Sequence, residues 1–127
     1  MGFDRKYLVF SLAYIVIGMA LGLYMGASQN HGQLVTHAHI LLVGFVVSFI
    51  YAIIHKLWLP APARGLAYAQ FVLHQLGAVA MFVALFGMFA GFGTEDSLGP
   101  LLGIASAAVL AGAALMAVMV FKHRAVA

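Results

Sequence analysis

Four apolar stretches, each longer than the roughly 20 residues a helix needs to cross a bilayer, take up most of this chain. They run over about Tyr7–Ala27, Leu34–Leu59, Leu66–Phe92 and Leu98–Phe121. The breaks between them are short: Ser28 to Gln33, Pro60 to Gly65, and Gly93 to Ser97. Short connections force consecutive helices to run antiparallel, so the spacing predicts an all-α, up-down-up-down four-helix unit in one membrane domain. With 65% hydrophobic and only 7% charged residues, the composition lies far from that of soluble domains. The lipid bilayer is therefore the first expected partner.

Lysine and arginine set the orientation. Arg5 and Lys6 precede the first stretch, Lys56 and Arg64 flank the second break, and Lys122 and Arg124 follow the last stretch. The other two breaks carry no Lys or Arg. The positive-inside rule then puts both termini and the Lys56–Arg64 loop in the cytoplasm, as in a multi-pass protein of a bacterial-type inner membrane. Because the basic residues sit at segment ends, the formal charge of +3 does not point to nucleic acid. The Arg5-Lys6 start fits a signal peptide, but the apolar stretch after it is too long for one. With no cysteine, thiolate ligands, iron–sulfur clusters and thioether-linked haem are excluded.

The chemistry-bearing residues are histidines. Thr36-His37-Ala38-His39 opens the second stretch near the expected outer face. Imidazole is costly in hydrocarbon, so an intramembrane His marks a functional site by default. On a regular helix His37 and His39 project about 200° apart, so one helix can offer a nitrogen to two different cofactors. His37, Leu41, Gly44, Ser48, Tyr51 and His55 follow spacings of four, three, four, three and four, which puts them on one face. Gly44, two turns below His37, is expected to leave room for a flat macrocycle.

His74, on the third stretch, shares its face with Gln70, Gly77 and Met81. Its expected depth differs from that of His39 by roughly 17 Å, too far to share one metal ion. It serves a second site, bonds a neighbouring helix, or touches a cofactor edge. His55, Trp58 and Tyr7 read as interfacial residues. His31 and His123 read as solvated, and the methionines as packing filler. Gly18, Gly22 and Gly26 form a small-residue ridge for helix packing, and the Ala- and Gly-rich fourth stretch (Gly103, Ala107, Ala111, Gly112, Ala114) reads the same way.

Between Arg5 and Thr94 there is no Asp or Glu, and none after Asp96. A carboxylate-based proton pump or carboxylate-bridged metal site is thus excluded from the membrane. Imidazoles alone, in an apolar setting, suit haem iron or copper.

The run from His37 through Gly44 to Val46, with Leu73-His74-Gln75-Leu76-Gly77 after it, resembles the catalytic subunit of haem–copper oxidases. The likeness is greatest to short stand-alone proteins similar to that subunit, and covers mainly residues 34–91. The resemblance implies b-type haem as cofactor, with His37 and His39 as ligands and Gly44 and His74 beside it. That family's twelve helices form three four-helix arcs, and this chain has the size of one arc. A homotrimer that rebuilds the ring is therefore implied, with each haem shared between protomers and an electron donor that the residues do not identify. The chain lacks the adjacent His-His pair of the family's copper site, and has no Tyr four residues after His37 or His39. It also lacks an acidic proton channel. Electron transfer, or redox or gas-ligand chemistry at haem, is implied without proton pumping. Two other readings stay open from the residues alone. One is a non-redox channel, transporter or assembly subunit with structural histidines; the other is a copper-handling protein using His and Met.

Overall fold

The computed structural model describes residues 1–123, so Arg124 lies outside the described residues. Those residues form four long helices and no strand. Helix α1 spans Phe3–Ser28, α2 Leu34–Leu57, α3 Arg64–Ala90 and α4 Glu95–Lys122, each long and apolar enough to cross a membrane. The expected stretches are recovered to within a few residues. Each turn has a local cause. Helix α1 ends where Gln29 adopts the left-handed conformation (φ 58°), and α3 where Gly91 does so (φ 81°). A left-handed residue just past a helix satisfies its last carbonyls. Helix α4 starts with a reciprocal cap. Thr94 Oγ1 accepts from the Ser97 N–H at 3.1 Å, and Ser97 Oγ accepts from the Thr94 N–H at 2.8 Å. Glu95 and Asp96 follow, where the helix dipole favours negative charge.

Helix α2 is not uniform. Immediately after His39, residues Ile40–Val46 wind as a π-helix before α-geometry resumes at Val47. The Val47 N–H bonds the Leu42 carbonyl, so the Val43 carbonyl loses its usual intrahelical donor. Wide turns of this kind are frequent at functional sites.

The chain packs as two tight antiparallel hairpins, α1–α2 and α3–α4, with a broader seam between them. Within bilayers apolar burial does not drive helices together, so close contact of small residues does. In the second hairpin, a Cβ on Gly77 would sit 3.0 Å from the Ala105 carbonyl oxygen and from Ala108 Cβ. In the first, a Cβ on Gly18 would meet the Leu41 side chain at 2.6 Å. Gly22 is equally tight, whereas Gly26 faces open space, so the expected ridge holds over two of its three glycines. On α4 the packing face uses Ala105 and Gly112; Gly103, Ala107, Ala111 and Ala114 are exposed.

Large side chains fill the seam between the hairpins. Tyr7 lies fully buried among Tyr51, His55, Phe71 and His74. This corrects its reading as an interfacial anchor: its hydroxyl donates inward to Gln70 Oε1. Gln70 in turn donates to the Gly112 carbonyl of α4 at 3.1 Å, so one side chain ties three helices. One level outward, Tyr14 donates to Gln75 Oε1 at 2.6 Å. Interhelical hydrogen bonds of this kind contribute about 0.6–2 kcal/mol each in a membrane. Met81, Met116 and Met119 fill apolar gaps around these groups.

The cationic ends gather at one end of the bundle. Lys6 donates to the Tyr68 hydroxyl at 3.0 Å, and the Arg64 guanidinium lies over the Tyr68 ring. Lys56 stands 4.0 Å from Asp4, and Lys122 adjoins the Pro62–Leu66 turn. The Lys56–Asp4 pair is exposed and contributes little to stability.

Candidate functional site: two levels of histidine

The outer level is His37 and His39. On the α1-facing side of α2, the His37 ring packs against Gly22, where a Cβ would come within 2.7 Å of its Cε1. Its Nδ1 lies 2.7 Å from the Gly18 carbonyl oxygen. His39 projects to the other side, half-exposed, with Nδ1 2.8 Å from the Val35 carbonyl oxygen one turn back. A backbone carbonyl only accepts, so in both neutral imidazoles Nδ1 carries the proton and Nε2 keeps its lone pair. Histidines that ligate metals are typically oriented this way, with the non-ligating N–H given to a carbonyl or carboxylate. The glycine ridge therefore does more than pack helices: it seats one imidazole and fixes its tautomer.

The slot expected beneath His37 at Gly44 is not open. A Cβ on Gly44 would lie 2.8 Å from Tyr14 Cγ. Tyr14 crosses there because its hydroxyl reaches Gln75 on α3. Gly44 thus admits an aromatic ring of the same chain, which fills the slot.

Deeper in the bundle is a second level, made of His74 and His55. His74 is fully buried, with Nε2 3.0 Å from Ser48 Oγ and its ring edge-on to Tyr51 at 5.1 Å. Nothing brings His74 to the His37–His39 level; it bonds a neighbouring helix, one of the roles its position allowed. His55, expected at the interface, is instead only 3% exposed. Phe3 and Tyr7 stack on its two sides at 5.4 and 5.8 Å, because α1 begins early enough to lay Phe3 across it.

Three of the four ring nitrogens at this level find no protein partner: both of His55 and Nδ1 of His74. The amide nitrogen of Gln75 is also unpaired. A buried polar atom left unsatisfied costs about 1–3 kcal/mol, so four in one seam call for water or another small polar occupant.

Sequence reading placed Ser48, Tyr51 and His55 on one face of α2, and the bundle interior receives that face. It missed Tyr7, Ser11 and Tyr14 on α1, whose own four-three spacing marks a matching polar face buried against it. His31 is exposed and His123 half-buried. Among the described residues, no three His, Asp or Glu side chains converge as a metal-binding group. No family model, curated protein or solved structure matches the chain.

Proposed function

We propose that this chain is a b-type haem protein of the membrane, resembling one arc of the haem–copper oxidase catalytic subunit and working as a homotrimer. His37 and His39 are the residues that would hold the haem. The observation that carries the reading is the shared state of the two imidazoles: each gives Nδ1–H to a backbone carbonyl and keeps Nε2 for a ligand. Bound there, haem would supply one-electron exchange or small-gas chemistry. The protein's part is to hold the two rings in one tautomer and to surround them with apolar helix.

Two further features support sharing between copies. His37 and His39 point to different sides of α2, so regular geometry denies both to one iron. Tyr14 fills the Gly44 slot, which leaves the space between protomers for the macrocycle. In a closed ring every interface uses the same two patches, so the His37 side of one protomer meets the His39 side of the next. Helix α4 carries Gly99, Gly103, Ala107 and Ala111 at every fourth position, with open space beside both glycines, a surface suited to close helix approach. The cationic end faces the cytoplasm in this reading, and the haem level the outer side.

Native mass and haem content test the assembly. The expected result is a trimer with one haem per protomer. A haem-loaded monomer with both axial ligands from one chain overturns the shared-ligand arrangement. A second reading rests on the His37–Gly18 bond, which also staples α1 to α2: a non-redox membrane protein with structural histidines. A purified protein that stays colourless when haem is supplied favours that reading.

A further inference from the structure

At the cationic end, a cleft of about 470 Å³ opens between the start of α1 and the α2–α3 turn. Gly2, Asp4, Lys56 and Arg64 line it, and His55 forms part of its wall. Behind His55 the seam continues inward through Tyr7 and Tyr51 to His74 and Ser48. The unpartnered nitrogens of His55 and His74 lie at the two ends of this seam. Apolar side chains pack around it, among them Phe3, Phe71, Ala52 and Ala67. The buried polar groups therefore form a file that starts at a solvent-facing cleft and ends in the middle of the bundle.

We propose that this file is a hydrated proton relay, with His55 as its gate and His74 as its inner station. It does not depend on the haem reading, since neither residue belongs to the His37–His39 level. Imidazole is the one side chain in the seam that both accepts and releases a proton near neutral pH. At each station a proton from water on the cleft side adds to one ring nitrogen. The proton on the other nitrogen then leaves to the next water inward, and ring or tautomer reversal resets the group. No electron moves and no carboxylate is needed. Tyr51 and Ser48 flank the inner end of the path that water would take to His74. The file ends at His74 and Ser48, so it exchanges protons between the cleft and the bundle interior and is not a pump.

The test uses the full chain in lipid bilayers, labelled with ¹⁵N-histidine. Nuclear magnetic resonance reads transfer of water protons to each imidazole, with each signal assigned by its loss in a single-residue variant. Both His55 and His74 exchange with water in the wild-type protein. In His55→Gln the seam stays polar but loses its gate, so exchange at His74 slows roughly tenfold or more, while His37 is unchanged. His55→Phe gives the same slowing by closing the mouth. Wild-type His74 protected from water for a day overturns the hydrated seam. Exchange at His74 as fast in both variants as in the wild type overturns the relay, leaving buried water alone. Should either variant fail to fold, the other and the wild-type measurement still decide.

Discussion

The outer and inner histidine levels use the same side chain under opposite conditions. His37 and His39 are half-exposed, and each has one nitrogen tied to a backbone carbonyl. His55 and His74 are buried, and three of their four nitrogens have no protein partner. Oriented imidazoles with one free lone pair suit a fixed ligand. Enclosed imidazoles with unmet bonding capacity suit a mobile one, such as water. Helix α2 carries the outer pair and His55, while His74 stands on α3, and the π-helix at Ile40–Val46 separates His39 from the stretch that holds Ser48, Tyr51 and His55. The π segment begins directly after the outer pair, so this local irregularity lies between the two levels along the helix.

The largest expected effect is all-or-none and concerns which side each level faces. The native chain has no cysteine, so introduced ones report cleanly. Cysteines at Asn30 and Thr94 react with an impermeant reagent from outside, and one at Ala61 only from the cytoplasmic side. Reversed labelling would put the cleft outside and the haem level inside.

Next in size is the inner level's dependence on Tyr7. Replacing it with alanine removes the ring that packs His55, His74 and Tyr51, and is expected to cost about 3–5 kcal/mol in unfolding free energy. Tyr7→Phe keeps the ring but leaves Gln70 Oε1 without its donor, at about 1–3 kcal/mol. Equal stability of Tyr7→Phe and wild type would show that Gln70 has another donor.

Smaller effects separate the glycines. A methyl at Gly22 collides with the His37 ring, so Gly22→Ala costs about 1–3 kcal/mol and lowers haem content together with stability. At Gly26 nothing lies within 4 Å, and Gly26→Ala is expected to change stability by about 0.5 kcal/mol or less. Thermal unfolding in detergent, read beside pigment content, checks both. Loss of stability at Gly22→Ala with full haem retained would detach the ridge from the ligand.

Much of this was legible in the sequence, for physical reasons that differ by element. Hydrocarbon thickness fixes the length of a spanning helix, so four apolar stretches gave four helices at nearly the right residues. Helix α4 begins at Glu95 rather than Leu98 because hydropathy is blind to the polar Thr94–Ser97 cap. Tyr7 and His55 were misplaced for a related cause: near a span's end, an aromatic facing lipid headgroups and one facing inward have the same hydropathy. Spacing tells them apart, since Tyr7, Ser11, Tyr14 and Gly18 repeat on one face of α1 and that face is buried. The filling of the Gly44 slot was not legible, because it depends on which helix packs opposite. Nor was the π-helix, whose seven residues, Ile40–Val46, carry no local mark of it.

The central claim is that His37 and His39, and not the inner pair, hold haem. The most direct measurement is the visible spectrum of the purified protein with haem supplied, taken for the wild type, for His37→Ala/His39→Ala, and for His55→Gln. A reduced Soret and α band is expected in the wild type and in His55→Gln, with loss of most of the pigment in the double variant while its helical content is kept. Full haem occupancy in the double variant would contradict the account.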